Sequence, residues 1–287
     1  AHVAMGTIRR ARDARPAPNR YRITERDHEV LHAVGRMKHA TTNQLNALFF
    51  GHVTAATRRI AKLFALGLLA VHCLDLNAPN LITLTAKGEK LLVARGAARS
   101  ELHVVRRVER SDEHLRAVND LRVGLVLAGR KRSDVHLDLY LADHDLRRAL
   151  GRAARTAEYI PDALVRLVPA TGRALHLVVE VDLGTEWKAH LVAKVRAVHE
   201  LASAHAPLYG LAFPWRPLVL APSIARARSI ARLIGEEHGG DFWALGLIEP
   251  VTADPFGVSY ALARDLVATD GGPDPFRRRL VPPEEVS

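Results

Sequence analysis

One cysteine, Cys73, stands in 287 residues. It cannot form an internal disulfide, so a reducing compartment, the cytoplasm, is expected. The longest apolar stretch, Leu63 to Val71, falls far short of the ~20 residues a membrane span needs. The Arg-rich start is not followed by an apolar h-region, so no signal peptide is expected. The 15 histidines show no zinc-ligand spacing. A P-loop, a dinucleotide-binding glycine pattern and a nucleophile elbow are all missing. No repeat recurs at a solenoid period. These absences exclude a disulfide scaffold, a membrane protein, a repeat array and the commonest nucleotide and hydrolase sites.

What remains is a chain with 48% apolar and 25% charged residues, the composition of a globular protein. Its length gives a prior of about two domains. The formal net charge is +10, and its placement is informative. Residues 1–100 hold 16 Lys and Arg against 6 Asp and Glu, whereas residues 101–287 hold 25 of each. The whole excess therefore lies in the first third. Arg outnumbers Lys 34 to 7, as GC-rich coding would give, but composition does not account for concentration at one end. A polyanion-binding module joined to an electroneutral one is expected.

Residues 1–20, rich in Arg, Ala and Pro, read as a disordered basic arm. From Thr24, a good N-cap, Val30, Leu31 and Val34 make a helical stripe. Leu45, Leu48 and Phe49 mark a second short helix, broken at Gly51. A third runs from Thr54 to about Leu66, with Ile60, Leu63 and Phe64 on one face and Arg58, Arg59 and Lys62 on the other. Leu68 to Leu74 and Leu81 to Leu84 read as a hairpin turning through Asp75 to Asn80, and Thr85 caps a helix from Ala86 to Arg95. Three helices, a hairpin and a fourth helix are winged-helix order over 21–95. The third helix would enter the major groove of double-stranded DNA, with Thr54, Thr57, Arg58, Arg59 and Lys62 as the contacting residues. A winged helix used for protein contact is the competing reading.

Residues 96–110 read as a linker. From Ser111 the order is helix (Leu115, Val118, Leu121 and Leu125 as its stripe), strand (Val135 to Leu141), Arg-rich loop, strand (Ala157 to Val168, broken at Pro161-Asp162), strand (Leu175 to Asp182), helix (Glu186 to Ser203), strand (Leu218 to Leu220), helix (Ile224 to Glu236) and strand (Phe242 to Ile248). This is an α/β fold with a mixed sheet over 111–250. Residues 251–287 read as a flexible tail. Glu180 and Asp182, two apart on one strand, share a face about 6–7 Å apart. With Asp162 they could hold Mg²⁺ or Mn²⁺ and position a phosphate. This is the logic of the PD-(D/E)XK nuclease core, whose Glu-x-Lys here becomes Glu180-Val181-Asp182. Lys194, inside the apolar stripe of the following helix, either replaces the missing lysine or pairs with Glu180 or Asp182 in a structural network. His114 and Arg122 lie on or beside the first helix's stripe, within reach of this cluster. Arg147, Arg148, Arg152 and Arg155 line either a nucleic-acid path or a solvated loop.

The chain resembles the bacterial replication-relaxation family. The residues that carry the likeness are Thr24 to Leu92, His114-Leu-Arg-Ala-Val-Asn119-Asp120-Leu, Pro161-Asp162-Ala163-Leu164, Glu180-Val-Asp182-Leu-Gly184-Thr185 and Lys194. His199 stands where the family often has an aromatic residue. The resemblance implies a winged helix followed by a PD-(D/E)XK-like domain, and DNA binding in plasmid or mobile-element replication, relaxation or mobilisation. Partners would be duplex DNA, a relaxase or replication protein, and a second copy of the chain. A nuclease-like domain that does not cleave is expected, so no cofactor is required. A Mg²⁺- or Mn²⁺-dependent endonuclease using Asp162, Glu180, Asp182 and Lys194, and a winged-helix transcriptional regulator, are the alternatives.

Overall fold

The structure, a computed structural model, describes residues 22–73, 79–105, 108, 113–184, 188–238, 241–257, 259–268 and 275–280. The basic arm, most of the 75–80 turn, Ser111, Thr185, Trp187 and Gly271-Gly272 lie outside the described residues. The chain divides into two compact units, Ala1–Asn119 and Asp120–Ser287.

In the first unit, α1 (Glu25–Arg36) starts where the Asp27 carboxylate accepts from the backbone N–H (2.6 Å) and hydroxyl (2.8 Å) of Thr24. After β1 (Ala40–Thr41), α2 (Thr42–Phe49) opens with a reciprocal cap. Gln44 N–H donates to Thr41 Oγ1 at 3.2 Å, and Thr41 N–H to Gln44 Oε1 at 2.9 Å. Such a pair satisfies two donors that a helix start otherwise leaves orphaned. α3 (Val53–Ala65) follows, then β2 (Leu69–His72), β3 (Leu81–Leu84) and α4 (Ala86–Val93). The three strands form an antiparallel sheet in the order β1-β3-β2. Val30, Leu31 and Val34 of α1, Leu45 of α2, Ile60 and Leu63 of α3 and Ile82 and Leu84 of β3 are buried, as the helical spacings required. Gly88 lies where α4 crosses the hairpin. A Cβ there would stand 2.4 Å from Leu68 O and 2.7 Å from Leu84 Cδ1, so only glycine fits.

Helix α5 (Glu113–Lys131) straddles the division between the units. Asn119, part of the family-like motif, is buried and donates through Nδ2 to Met37 O (3.1 Å) and His39 O (3.0 Å). It thereby satisfies the two carbonyls where the chain leaves α1.

The second unit is mixed α/β. Its sheet has six strands in the order β4 (Val135–Ala142), β5 (Ala163–Pro169), β6 (Leu175–Val181), β7 (Arg216–Ala221), β8 (Ala244–Leu247) and β9 (Tyr260–Leu262). β4, β5 and β6 pair antiparallel, β6, β7 and β8 parallel, and β9 antiparallel. Helix α6 (Asp143–Leu150) follows β4, α7 (Lys188–Ser203) links β6 to β7, and α8 (Ile224–His238) links β7 to β8. Short helices α9 (Ile248–Ala253) and α10 (Ala263–Ala268) flank β9. Leu191, Val195 and Val198 of α7 and Ala227, Ile230 and Ile234 of α8 share one core with Leu164, Val178, Val219 and Leu245 of the strands.

Two expectations are corrected. The stretch read as an Arg-rich loop is α6 followed by a 3-10 turn, Gly151–Arg155. Asp145 accepts from Ala142 N–H at 3.1 Å to start α6, and Leu146 joins the core. The stretch read as a flexible tail contains the end of α9, then β9 and α10. Ala261, Ala263 and Leu266 are buried, so the sheet is incomplete without them.

Candidate functional site

Two groups of residues were singled out by sequence, one in each unit. On α3, Thr54, Arg58 and Lys62 are exposed, as one side of a 3.6-residue helix should be when Ala56, Ile60 and Leu63 are buried. Thr57 is half-buried and its hydroxyl donates to Val53 O at 2.9 Å. Val53, at the start of the same helix, is 52% exposed, a residue that sequence reasoning passed over.

Arg59 behaves differently from its neighbours. Its guanidinium grips both oxygens of Asp27, which is fully buried on α1. Burial opposes the charge on Asp27. Arg59 and the two bonds from Thr24 nevertheless hold its carboxyl below the ordinary range. Arg59 therefore ties α3 to α1 and is withdrawn from the outward cationic face. A buried carboxylate needs such a partner.

In the second unit, Asp162, Glu180 and Asp182 lie at or beside the carboxyl end of β6. Asp162 lies just before β5, and its Oδ2 accepts from Val181 N–H at 2.8 Å. Glu180 is 5% exposed. Its Oε1 accepts from the Tyr159 hydroxyl at 2.6 Å and its Oε2 from Lys194 Nζ at 2.8 Å. Asp182 is 3% exposed. Arg226, in the first turn of α8, reaches it with both arms, Nε to Oδ1 at 3.2 Å and Nη2 to Oδ2 at 2.7 Å. Gly184, at φ +84°, turns its N–H back onto Asp182 Oδ1.

The Lys194–Glu180 contact follows from helix geometry. Leu191, Val195 and Val198 face the core, and Lys194, read from the sequence as inside that stripe, lies at its edge with its ammonium on Glu180. Burial and the nearby Asp162 charge push the Glu180 carboxyl up to about 8, with Lys194 and Tyr159 pulling the other way. Arg226 and Tyr159 were missed by sequence reasoning. A signal existed for each. A buried Asp at a strand end demands a cation, and an Arg three residues after the Ser223 cap is in reach. Tyr159 stands three residues before Asp162 and closes the same corner, where its carbonyl accepts from the Tyr209 hydroxyl.

Both Glu180 oxygens and both Asp182 oxygens already accept hydrogen bonds, so a metal ion bound there would have to compete with Lys194 and Arg226 for them. Arg122 sits with its guanidinium carbon 5.4 Å from the Tyr140 ring centre. His114 is half-buried on α5. Arg147 pairs with Asp143 at 3.2 Å, while Arg148, Arg152 and Arg155 are exposed on α6 and the 3-10 turn.

Among the described residues no helix is long and apolar enough to cross a membrane. No curated protein and no solved structure gives a significant match to the chain. The family model described as replication-relaxation matches residues 31–211. That span runs from within α1 to beyond α7, and takes in α3, Asp162, Glu180, Asp182 and Lys194. Arg226 lies outside it. Since the match covers well over half of the sequence, the chain belongs to the replication-relaxation family.

Proposed function

We infer that this chain is a double-stranded DNA-binding protein acting in plasmid or mobile-element replication, relaxation or mobilisation. Family membership points to replication or relaxation. The finer reading rests on the first unit. Its order, α1-β1-α2-α3-β2-β3-α4 with an antiparallel three-stranded sheet, is the order of a winged helix. In that reading α3 docks in the major groove and the β2–β3 hairpin is the wing. The observation that carries it is the outward face of α3, where Thr54, Arg58 and Lys62 stand exposed in the part of the sequence that holds the entire net charge. Phosphate neutralisation would supply most of the affinity.

The second unit is read as a nuclease-like scaffold that does not cleave. Its carboxylates already accept from Lys194, Tyr159, Arg226 and backbone N–H groups. Asp182, where the nuclease pattern has lysine, is neutralised by an arginine. Duplex binding followed across a salt series tests the first claim. Arg58→Ala should weaken binding and flatten the salt slope by about one phosphate contact. An unchanged affinity and slope would remove α3 as the reading helix. Supercoiled plasmid incubated with Mg²⁺ or Mn²⁺ tests the second. It should stay intact, and nicking that disappears in Glu180→Ala and Lys194→Ala would establish an endonuclease instead. A genomic footprint at promoters, in place of replication or transfer origins, would favour a transcriptional regulator.

A further inference from the structure

At the far end of the sheet from the carboxylate cluster lies a pocket of about 270 Å³, lined by Arg216, Arg278 and Arg279 together with Tyr260, Leu262 and Leu280. Arg216 opens β7 and is the one exposed residue of that strand. The chain around Arg278 is fixed along β9. Arg278 N–H donates to Tyr260 O at 2.9 Å, and Ser259 and Tyr260 N–H both reach Arg278 O at 3.2 Å. The arginine run is thereby pinned beside the entrance of β7.

The local charge is unbalanced. Arg278 is neutralised by Asp265, at 3.0 and 2.9 Å. Among the described residues no carboxylate pairs with Arg216 or Arg279, and Arg279 has only a 3.5 Å approach to Phe256 O. Residues 101–287 carry equal numbers of acids and bases, so this cationic corner is a matter of placement. Guanidinium forks match the oxygens of a tetrahedral oxyanion. An anion bound between these cations would relieve their mutual repulsion.

We propose that this pocket is an oxyanion site that takes a phosphate group, with Arg216 and Arg279 as the principal ligands and Arg278 as a third held by Asp265. Two carriers share that chemistry, a free mononucleotide and the 5′-phosphate of a nucleic-acid strand. The site belongs to the second unit and does not depend on the DNA reading of the first.

The test is calorimetric titration of the full chain with inorganic phosphate, with adenosine monophosphate, and with a short oligonucleotide bearing either a 5′-phosphate or a 5′-hydroxyl. Inorganic phosphate should bind. Arg216→Gln and Arg279→Gln should each weaken it by about tenfold, with an unchanged unfolding midpoint because both side chains are exposed. Arg279→Lys should recover part of the loss, and Arg58→Ala should lose none. Tighter binding of the mononucleotide identifies a nucleotide site. Preference for the 5′-phosphorylated strand over its hydroxyl twin identifies a strand-end site. Absence of phosphate binding, or binding that both glutamine variants leave within twofold of the parent, overturns the proposal.

Discussion

Replacing Arg226 by Met offers the most direct test of how the carboxylate corner is built. Asp182 is 3% exposed and the Arg226 side chain 25% exposed. Removing one partner of a fully buried pair costs about 3–5 kcal/mol, because the other charge is stranded. Arg226 is partly solvated, so the expected loss is about 2–4 kcal/mol. At about 2–4 °C per kcal/mol for a unit of this size, the midpoint should fall by roughly 4–16 °C. Urea unfolding with an unchanged m-value is the assay. Arg226→Lys keeps the charge but loses the two-armed geometry and should fall between the two. Adding Asp182→Asn to Arg226→Met removes both charges and should recover about 1–3 kcal/mol as coupling energy. Mg²⁺ supplies a further arm. It should leave the parent midpoint unmoved, because it would have to displace Lys194 and Arg226 from the carboxylates. A loss below about 1 kcal/mol with no recovery in the double variant would refute the reasoning. So would a parent protein that Mg²⁺ stabilises.

Three other outcomes follow from named contacts. Glu180 keeps its proton to about 8 in the fold against an ordinary value of 4.5. Stability from this group is therefore complete below about pH 4.5 and is lost as pH rises toward 8, at up to about 1.4 kcal/mol per unit. Glu180→Gln should flatten that part of the stability–pH curve. Gly88→Ala should destabilise the first unit by about 1–3 kcal/mol in denaturant unfolding, through overpacking against Leu68 O and Leu84. Arg59→Ala should lower the unfolding midpoint clearly, because Asp27 is left buried and unpaired. Arg58→Ala should leave that midpoint unchanged and act on DNA affinity alone.

The contrast between Arg58 and Arg59 shows what a sequence can and cannot convey. Both are cations on the polar side of an amphipathic helix, and periodicity treats them alike. What separates them is Asp27, 32 positions upstream, and no local pattern encodes that contact. The caps at Thr24 and Thr85 were legible because a cap is a relation among neighbours. The placement of Glu180 and Asp182 two apart at one strand end was legible for the same reason, since alternation on a strand is local. Their partners were harder. Lys194 could be inferred from a charge at an apolar stripe, whereas Arg226 sits 44 residues from Asp182 on a helix whose other residues gave no sign of it. β9 was missed because Tyr260–Leu262 is only three residues, too short for any period to show, and because the glycines and prolines beyond it read as a loose end.

That short strand bears on how the molecule behaves in a crowded solution. β9 is the outermost strand of its sheet, and a bare edge of this kind offers unpaired N–H and C=O groups to any passing chain. Here the backbone of Arg278 fills part of that edge, and the cationic side chains on either side of it repel a second copy. Phe276, buried at 7% exposure in the core shared by α7 and α8, anchors the segment. Cutting the chain just before Phe276 would thus open an apolar site and free the strand edge in one step. The product would self-associate through β9 even if every other element kept its fold.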